Sequence, residues 1–186
     1  MYIGPNPNPK AIINKRGWQF GFLKETLVAP ISRTEIMLGK TFGGATIALI
    51  QGMIVLGLTY LLGFRISSIA DFALGLIFMV LIAVFFAGLG LAIASKMKDM
   101  QGFQLIMNFL IMPIFFLSGA LFPLENLPAP IYFISRIDPL TYGVDGLRGA
   151  ISGISIFGIS NNLAVMGTLA ILVCAIGAIL FSKVEA

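Results

Sequence analysis

Gly39, Lys40 and Thr41 are the residues whose types come nearest to a nucleotide-binding motif. In a phosphate-binding loop, G-x-x-x-x-G-K-[ST], a lysine and backbone N–H groups hold the phosphates, and the loop follows a strand. The pattern requires a glycine at position 34, which is Thr34 in this sequence. We therefore exclude nucleotide binding by this motif. The sequence predicts no ATP, Mg²⁺ or other cofactor bound to the chain itself.

A second cluster of polar residues lies in DGLRGAISG, which begins at Asp145. The run is similar to a motif of membrane phosphatidyltransferases, whose metal site requires further aspartates downstream at helical spacing. No acidic residue follows it before Glu185. Asp138, Asp145 and Arg148 are the clustered polar groups, and they lack a metal-ligand pattern. A membrane enzyme that acts on lipids is therefore the last of the functions considered.

Histidine and cysteine usage excludes further chemistry. The chain contains no histidine, and its single cysteine, Cys174, lies in the last apolar run. Serine–histidine hydrolysis, histidine-ligated metal sites and disulfides within the chain are thereby excluded. The sequence predicts no catalytic residue and no metal site.

The composition is that of a membrane protein. Apolar residues make up 58% of the 186 residues and charged residues 11%, with a mean hydropathy of +0.99. Uncharged runs predict spans at 41–64, 72–95, 101–122 and 163–182. These lengths match the ~20 residues needed to cross a ~30 Å hydrocarbon core, and the runs lack the alternation of barrel strands. The predicted fold is an all-α polytopic membrane helix bundle with about four transmembrane helices, which form one transmembrane domain over 41–186.

Basic residues divide unequally between the two sides of this topology. Nine of the 12, Lys24 and Lys96 among them, share a side with both termini, and Arg65, Arg136 and Arg148 occupy the other. The positive-inside rule predicts a multi-pass protein of the cell membrane with both termini cytoplasmic. The net charge of +4 reflects this topology, and without a continuous basic face it predicts no nucleic-acid partner.

The chain before the first span is polar and then amphipathic. Residues 1–19 are predicted to be a flexible cytoplasmic segment, and residues 20–40 a cytoplasmic helix and the entry to the first span. The apolar face of this helix, at i, i+3 and i+7, consists of Phe20, Leu23 and Leu27. The S-x-x-E spacing of Ser32 and Glu35 predicts a capping box, with a helix that continues into the first span. On pattern alone, a helix resting on the membrane surface is favoured.

Asn108 and Pro113 interrupt the third span. Proline removes a helix hydrogen bond and kinks its helix, and such a bend can be structural or can line a pathway. An amide inside a span more often bonds to a neighbouring helix, so packing is the alternative role of Asn108.

The segment 123–162 is too polar to span the membrane, yet it is rich in large apolar residues. Pro128, Pro130 and Pro139 predict two short helices, because the residue before a proline avoids helical geometry. We expect the segment to lie in the membrane interface or to re-enter it, on the external side. The alternative is a solvated loop with weak ion pairs, Asp138 with Arg136 or Asp145 with Arg148.

Three ordered motifs carry a family resemblance. They are LKETLVAPISRTEIMLGK from Leu23, FFLSGALFPLENLP from Phe115 and ISRIDPLTYGVDGLRGA from Ile134. From about Trp18 to the C-terminus, the chain resembles the membrane permease of type-2 ATP-binding cassette exporters. The resemblance implies a transport subunit that is not itself an enzyme. Its implied partners are a cytoplasmic ATPase that binds ATP and Mg²⁺, a second permease copy and membrane lipid.

The resemblance also implies roles for individual residues. The family's coupling helix docks on the ATPase, and this role falls on Phe20, Leu23, Lys24, Glu25, Leu27, Pro30, Ser32, Arg33 and Glu35. The pathway or external gate is expected to involve Asn108, Pro113, Ser118, Gly119, Phe122, Pro123, Asp138, Pro139, Tyr142, Asp145 and Arg148.

The resemblance covers only part of the family's pattern. Family permeases usually have six spans, two of them before the coupling helix, whereas this chain resembles the last four. A truncated, non-transporting membrane scaffold is therefore the alternative function. The predicted spans contain no Asp, Glu, Lys or Arg, which speaks against an ion-coupled carrier. A lipid-like, drug-like or glycan-type substrate, exported from the cytoplasm, fits better.

Overall fold

The computed structural model describes residues 32–66, 68–97, 99–124 and 128–182. The predicted coupling residues from Phe20 to Pro30 lie outside the described residues. Within the described ranges the protein is all-α, without strands, as the composition predicts. Its helices are α1 (Arg33–Leu61), α2 (Ile69–Ala94), α3 (Met100–Leu117), α4 (Ala129–Ser135), α5 (Pro139–Ser152) and α6 (Ile159–Ser182).

α1 begins at the predicted capping box. The Ser32 hydroxyl accepts a hydrogen bond from the Glu35 N–H at 3.2 Å, and the Glu35 carboxylate accepts one from the Ser32 N–H at 2.9 Å. Each side chain thus satisfies a backbone donor that the first helical turn would leave unpaired. From this start α1 runs without interruption for 29 residues. The predicted capping box and continuous helix are confirmed.

Among the described residues, three helices are long and apolar enough to cross a membrane. They occupy Thr34–Leu61, Ile69–Ala94 and Ile159–Leu180. At ~1.5 Å per residue, even a helix of ~22 residues exceeds a ~30 Å hydrocarbon core. α6 starts at Ile159, whereas the span was predicted from residue 163. The prediction counted only the apolar run and left out the polar residues Ser160 to Asn162, which belong to the first turn of the helix.

α3 is shorter than the predicted third span. It continues through Pro113 but ends at Leu117, whereas the span was predicted to reach residue 122. The Ser118 hydroxyl turns back to donate to the Phe115 carbonyl at 2.8 Å, and Gly119 then adopts a φ of +78°. A left-handed glycine just after the last helical residues is a common way for a helix to stop.

α2 lies at the centre of the packing. It contacts α6 most extensively, followed by α1 and α5, whereas α3 touches α2, α4 and α5 only sparsely. Phe85, Met166 and Ala170 are buried between α2 and α6. Phe78 of α2 is fully buried, and its ring lies where a Cβ on Gly146 of α5 would be. A glycine at 146 therefore lets α5 pack directly against α2.

The segment 123–162 forms the two predicted helices, α4 and α5. The second packs against the bundle, and it buries Thr141, Gly143, Asp145, Gly146, Gly149 and Ala150. This burial contradicts the alternative of a solvated loop, because small residues along α5 allow close contact with α2 and α6.

Candidate functional site

Asp145, on α5, is the centre of a buried polar cluster. Only 2% of its surface is exposed, and its carboxylate accepts hydrogen bonds from the Ser155 hydroxyl at 2.8 Å and the Asn162 amide at 2.7 Å. It also accepts from the backbone N–H groups of Ile156 at 2.9 Å and Phe157 at 3.0 Å. One side chain therefore holds α5, the turn before α6 and the first part of α6 together.

Hydrogen bonding determines the charge state of Asp145. Burial by itself would raise the pKa of this carboxyl group. The N–H groups of Ile156 and Phe157, followed by the Asn162 and Ser155 side chains, outweigh burial and place the pKa below its usual value. Asp145 is therefore an anion, and its donors within the described part of the chain are all neutral groups.

Asn162, in the first turn of α6, completes the cluster. It is fully buried, and its amide nitrogen donates to Asp145 and, at 3.2 Å, to the Ser155 hydroxyl. Its carbonyl oxygen is the one buried side-chain polar atom without a hydrogen-bond partner in the described part of the chain. Turning the amide round would bring that oxygen against the Asp145 carboxylate, so the bond to the anion decides the orientation.

Asp138 is the N-cap of α5. Its carboxylate accepts from the Leu140 N–H at 3.0 Å and from the Thr141 hydroxyl at 3.4 Å, and Pro139 occupies the first helical position. Proline suits that position, because its missing N–H would have no helical partner there. Burial raises the pKa of Asp138 to about 6, and these two hydrogen bonds offset the effect only in part.

Arg148 connects α5 to the end of α3. Its guanidinium donates to the Gly119 carbonyl at 2.9 Å, across 29 residues of sequence. The Tyr142 hydroxyl makes a shorter connection, to the Arg136 carbonyl at 2.8 Å. Neither ion pair considered from the sequence is present among the described residues. Asp138 accepts from Leu140 and Thr141 and not from Arg136. Arg148 donates to a backbone carbonyl, and Asp145 accepts from neutral groups.

The predicted gate residues separate into two groups. The structure brings Ser118, Gly119, Asp138, Pro139, Tyr142, Asp145 and Arg148 together around α5 and the end of α3. Asn108 and Pro113 are exposed along α3, as are Phe122 and Pro123 after it, and these residues take no part in the Asp145 cluster. Of the predicted coupling residues, the structure describes Ser32 and Glu35 in the capping box and places Arg33 at the start of α1.

Sequence reasoning missed Ser155 and Asn162. Asn162 lies in a polar run, Ser160 to Asn162, at the start of an apolar helix, which is a detectable signal. Ser155 lies between two isoleucines and gives no such signal. Their pairing with Asp145 joins residues 10 and 17 positions apart. It becomes visible only when α5 and α6 are packed together.

The chain matches the ABC-2 type transporter family over residues 12–152. This range includes α1 to α5 and the segment before them. The chain belongs to the ABC-2 type transporter family.

Curated relatives of this ABC-2 permease are membrane transport proteins. The chain is 29% identical over 152 residues to the inner membrane transport permease YadH of Escherichia coli (strain K12), covering 81% of this chain and 56% of YadH. It is also 29% identical over 125 residues to the "Probable multidrug ABC transporter permease YbhR" of the same strain, covering 67% and 34%. The chain thus spans about half or less of the length of these relatives.

The polar cluster around Asp145 in this ABC-2 permease has a structural role, which is to hold helices together. Within the described residues, no group of three or more His, Cys, Asp or Glu side chains is placed to hold a metal ion. Every described donor around Asp145 serves to fix one structural element to another. The arrangement suits a transmembrane transporter subunit in which α5 and α6 are held as one unit.

Proposed function

We propose that this chain acts as the membrane-spanning permease subunit of an ATP-binding cassette exporter driven by a separate ATPase. The observation that carries the proposal is the family match, which covers both the predicted coupling segment and α5. Two copies would form the transport route in the cell membrane, with both termini of each copy in the cytoplasm. ATP and Mg²⁺ would be bound by the ATPase partner.

Contacts between the helices support a path from the ATPase to the gate. Movement of the segment ending at Arg33 would act on α1, because the capping box holds the start of that helix. α1 packs against α2 and α6, and both of these pack against α5. α5 in turn reaches the end of α3 through Arg148 and Gly119. ATP binding can shift this system only if the ATPase docks differently on its two states.

The proposed substrate is lipid-like, drug-like or of glycan type and leaves the cytoplasm. The described helices expose large apolar side chains, such as Phe109 and Met112 of α3. YbhR, one of the relatives, is named for multidrug transport. The absence of ionisable residues from the predicted spans favours such molecules over ions, because ionisable groups at membrane depth usually mark ion paths.

The coupling role can be tested by Leu23→Asp on the apolar face of the predicted coupling helix. A charge on a face that docks in a protein groove leaves an unpaired buried charge, so we expect about a tenfold or greater loss of ATPase co-purification. The measurement is the amount of ATPase recovered with the permease, together with substrate-stimulated ATP hydrolysis in vesicles.

Ala29→Asp is the matched control. In the predicted coupling helix, residue 29 would lie on the side opposite Phe20, because nine positions at about 100° each end about 180° away around the helix axis. We expect this variant to retain the ATPase. Equal retention of the ATPase by both variants would contradict the coupling role, and a membrane-inserted protein with no ATPase partner would support the scaffold alternative.

A further inference from the structure

A groove of about 510 Å³ lies between α1, α2 and α5. Gly52 and Val55 of α1 face Met79 and Ile82 of α2, and Leu147 and Ile151 of α5 form a third wall. The volume lies within the ~300–1,000 Å³ typical of ligand sites in proteins. The groove is open to the surface, so a molecule of matching size and polarity can enter it.

Water does not suit this groove. Thr59 is the lining residue with a polar side chain, and its hydroxyl already donates to the Val55 carbonyl at 2.8 Å. A buried water needs two to four polar partners, and cavities lined by apolar side chains stay dry. The occupant is therefore apolar along the groove.

The groove is open along α1, one of the two membrane-spanning helices that form its walls. Val55, a lining residue, is 61% exposed, and Phe64 at the end of the groove is 37% exposed. α1 and α2 are both long enough to span the membrane. Lipid acyl chains are the apolar molecules that surround such helices, so they have direct access from the side.

A cation is adjacent in sequence to the lining residue Phe64. Arg65 follows Phe64, and its guanidinium carbon is 4.8 Å from the centre of the Tyr60 ring. Tyr60 is one helical turn after Leu56, a lining residue, so the two side chains share a face of α1. In the described part of the chain, Arg65 has no carboxylate partner. Its charge is thus held in place by an aromatic ring and remains available to an anion.

We propose that the groove binds one acyl chain of an anionic phospholipid, whose phosphate contacts Arg65. The apolar walls would contact the acyl chain of the lipid. The guanidinium, a preferred partner of phosphate, would favour an anionic headgroup. The lipid belongs to the leaflet at the Leu61 end of α1. This inference requires only that α1 and α2 lie in a bilayer, and it is independent of the proposed export function.

The test compares Val55→Trp with Ile54→Trp in the full chain. Val55 lines the groove, whereas Ile54 does not, and the two are 61% and 59% exposed on the same helix. Each variant is equilibrated with vesicles of equal parts phosphatidylglycerol and phosphatidylcholine with identical acyl chains. Retained lipid is then measured by native mass spectrometry.

We expect the natural chain to retain phosphatidylglycerol in preference to phosphatidylcholine. Val55→Trp fills the groove and should lower retained lipid by about tenfold, with no change in Ile54→Trp. Arg65→Gln should abolish the preference between the two lipids while the groove still takes a chain. Equal retention by both tryptophan variants, or an undiminished preference in Arg65→Gln, would overturn the proposal.

A second measurement does not depend on the folding of the tryptophan variants. A benzophenone amino acid is placed at position 55, or at 54 as the control, and irradiated in cell membranes. A phospholipid adduct that is much stronger at 55 than at 54 supports the groove as a lipid site. A peptide adduct at 55 would show that a protein helix covers the groove, and the lipid proposal would then fail.

Discussion

At the scale of single residues, Asp145 explains how α5 is fixed to α6. Its two oxygens accept from two backbone N–H groups and two side chains, and these donors keep the buried carboxylate charged. A buried polar group whose partner is removed suffers the full cost of desolvation. The cluster therefore depends on the charge of Asp145 more than on any one donor.

Asp145→Ala is expected to destabilise the protein by about 3 kcal/mol or more, because several buried donors lose their acceptor together. Asn162→Ala should cost less. It removes a donor to the carboxylate, but it also removes the unpaired Asn162 carbonyl oxygen. Thermal unfolding of the detergent-solubilised proteins measures both effects. A smaller effect of Asp145→Ala than of Asn162→Ala would contradict this account of the cluster.

The pKa of Asp138 is shifted in the opposite direction to that of Asp145, and this shift makes stability depend on pH. Its pKa is raised to about 6 from the usual 3.8, so between these values the folded state binds more protons than the unfolded state. Stability contributed by this group is therefore present at low pH and falls as pH rises toward about 6. Asparagine at this position still caps the helix but does not titrate.

We expect melting temperature to fall more between about pH 4.5 and about pH 7 in the natural protein than in Asp138→Asn. Other ionisable groups contribute equally to both proteins, so the difference between them isolates Asp138. Parallel pH profiles would mean that the pKa of Asp138 is not raised in the folded protein.

At the scale of secondary-structure elements, close packing of α5 on α2 depends on glycine. Gly146 faces the fully buried ring of Phe78, and a Cβ would overlap that ring. Gly57 on α1 has no atom within 4 Å of the place where its Cβ would be. The two glycines are both helical, so they separate packing from helix propensity.

Gly146→Ala should therefore destabilise the protein by about 1–3 kcal/mol through overpacking. Gly57→Ala should be neutral, or should stabilise by up to about 1 kcal/mol, since alanine favours helix over glycine. Thermal unfolding compares the two variants. If Gly146→Ala were as stable as Gly57→Ala, α5 would not be held directly against Phe78.

At the scale of the whole molecule, α3 is joined less firmly to the rest. α1, α2, α5 and α6 share extensive contacts, whereas α3 touches α2, α4 and α5 only sparsely. Arg148 makes a hydrogen bond that reaches the end of α3 from α5. Many apolar side chains of α1 and α3, such as Leu61 and Phe109, are exposed. Such surfaces are compatible with lipid or with further membrane helices, and they distinguish this protein from a water-soluble bundle.

The sequence by itself determined what depends on neighbouring residues. Hydropathy predicted the apolar helices, because a chain in lipid must satisfy its backbone hydrogen bonds within each helix. The Ser32–Glu35 spacing predicted the start of α1, and the prolines predicted α4 and α5. Only the tertiary structure showed the partners of Asp145 and Arg148, since these bonds join residues as many as 29 positions apart. It also decided where α3 ends and where the groove lies, because both depend on the packing of separate helices.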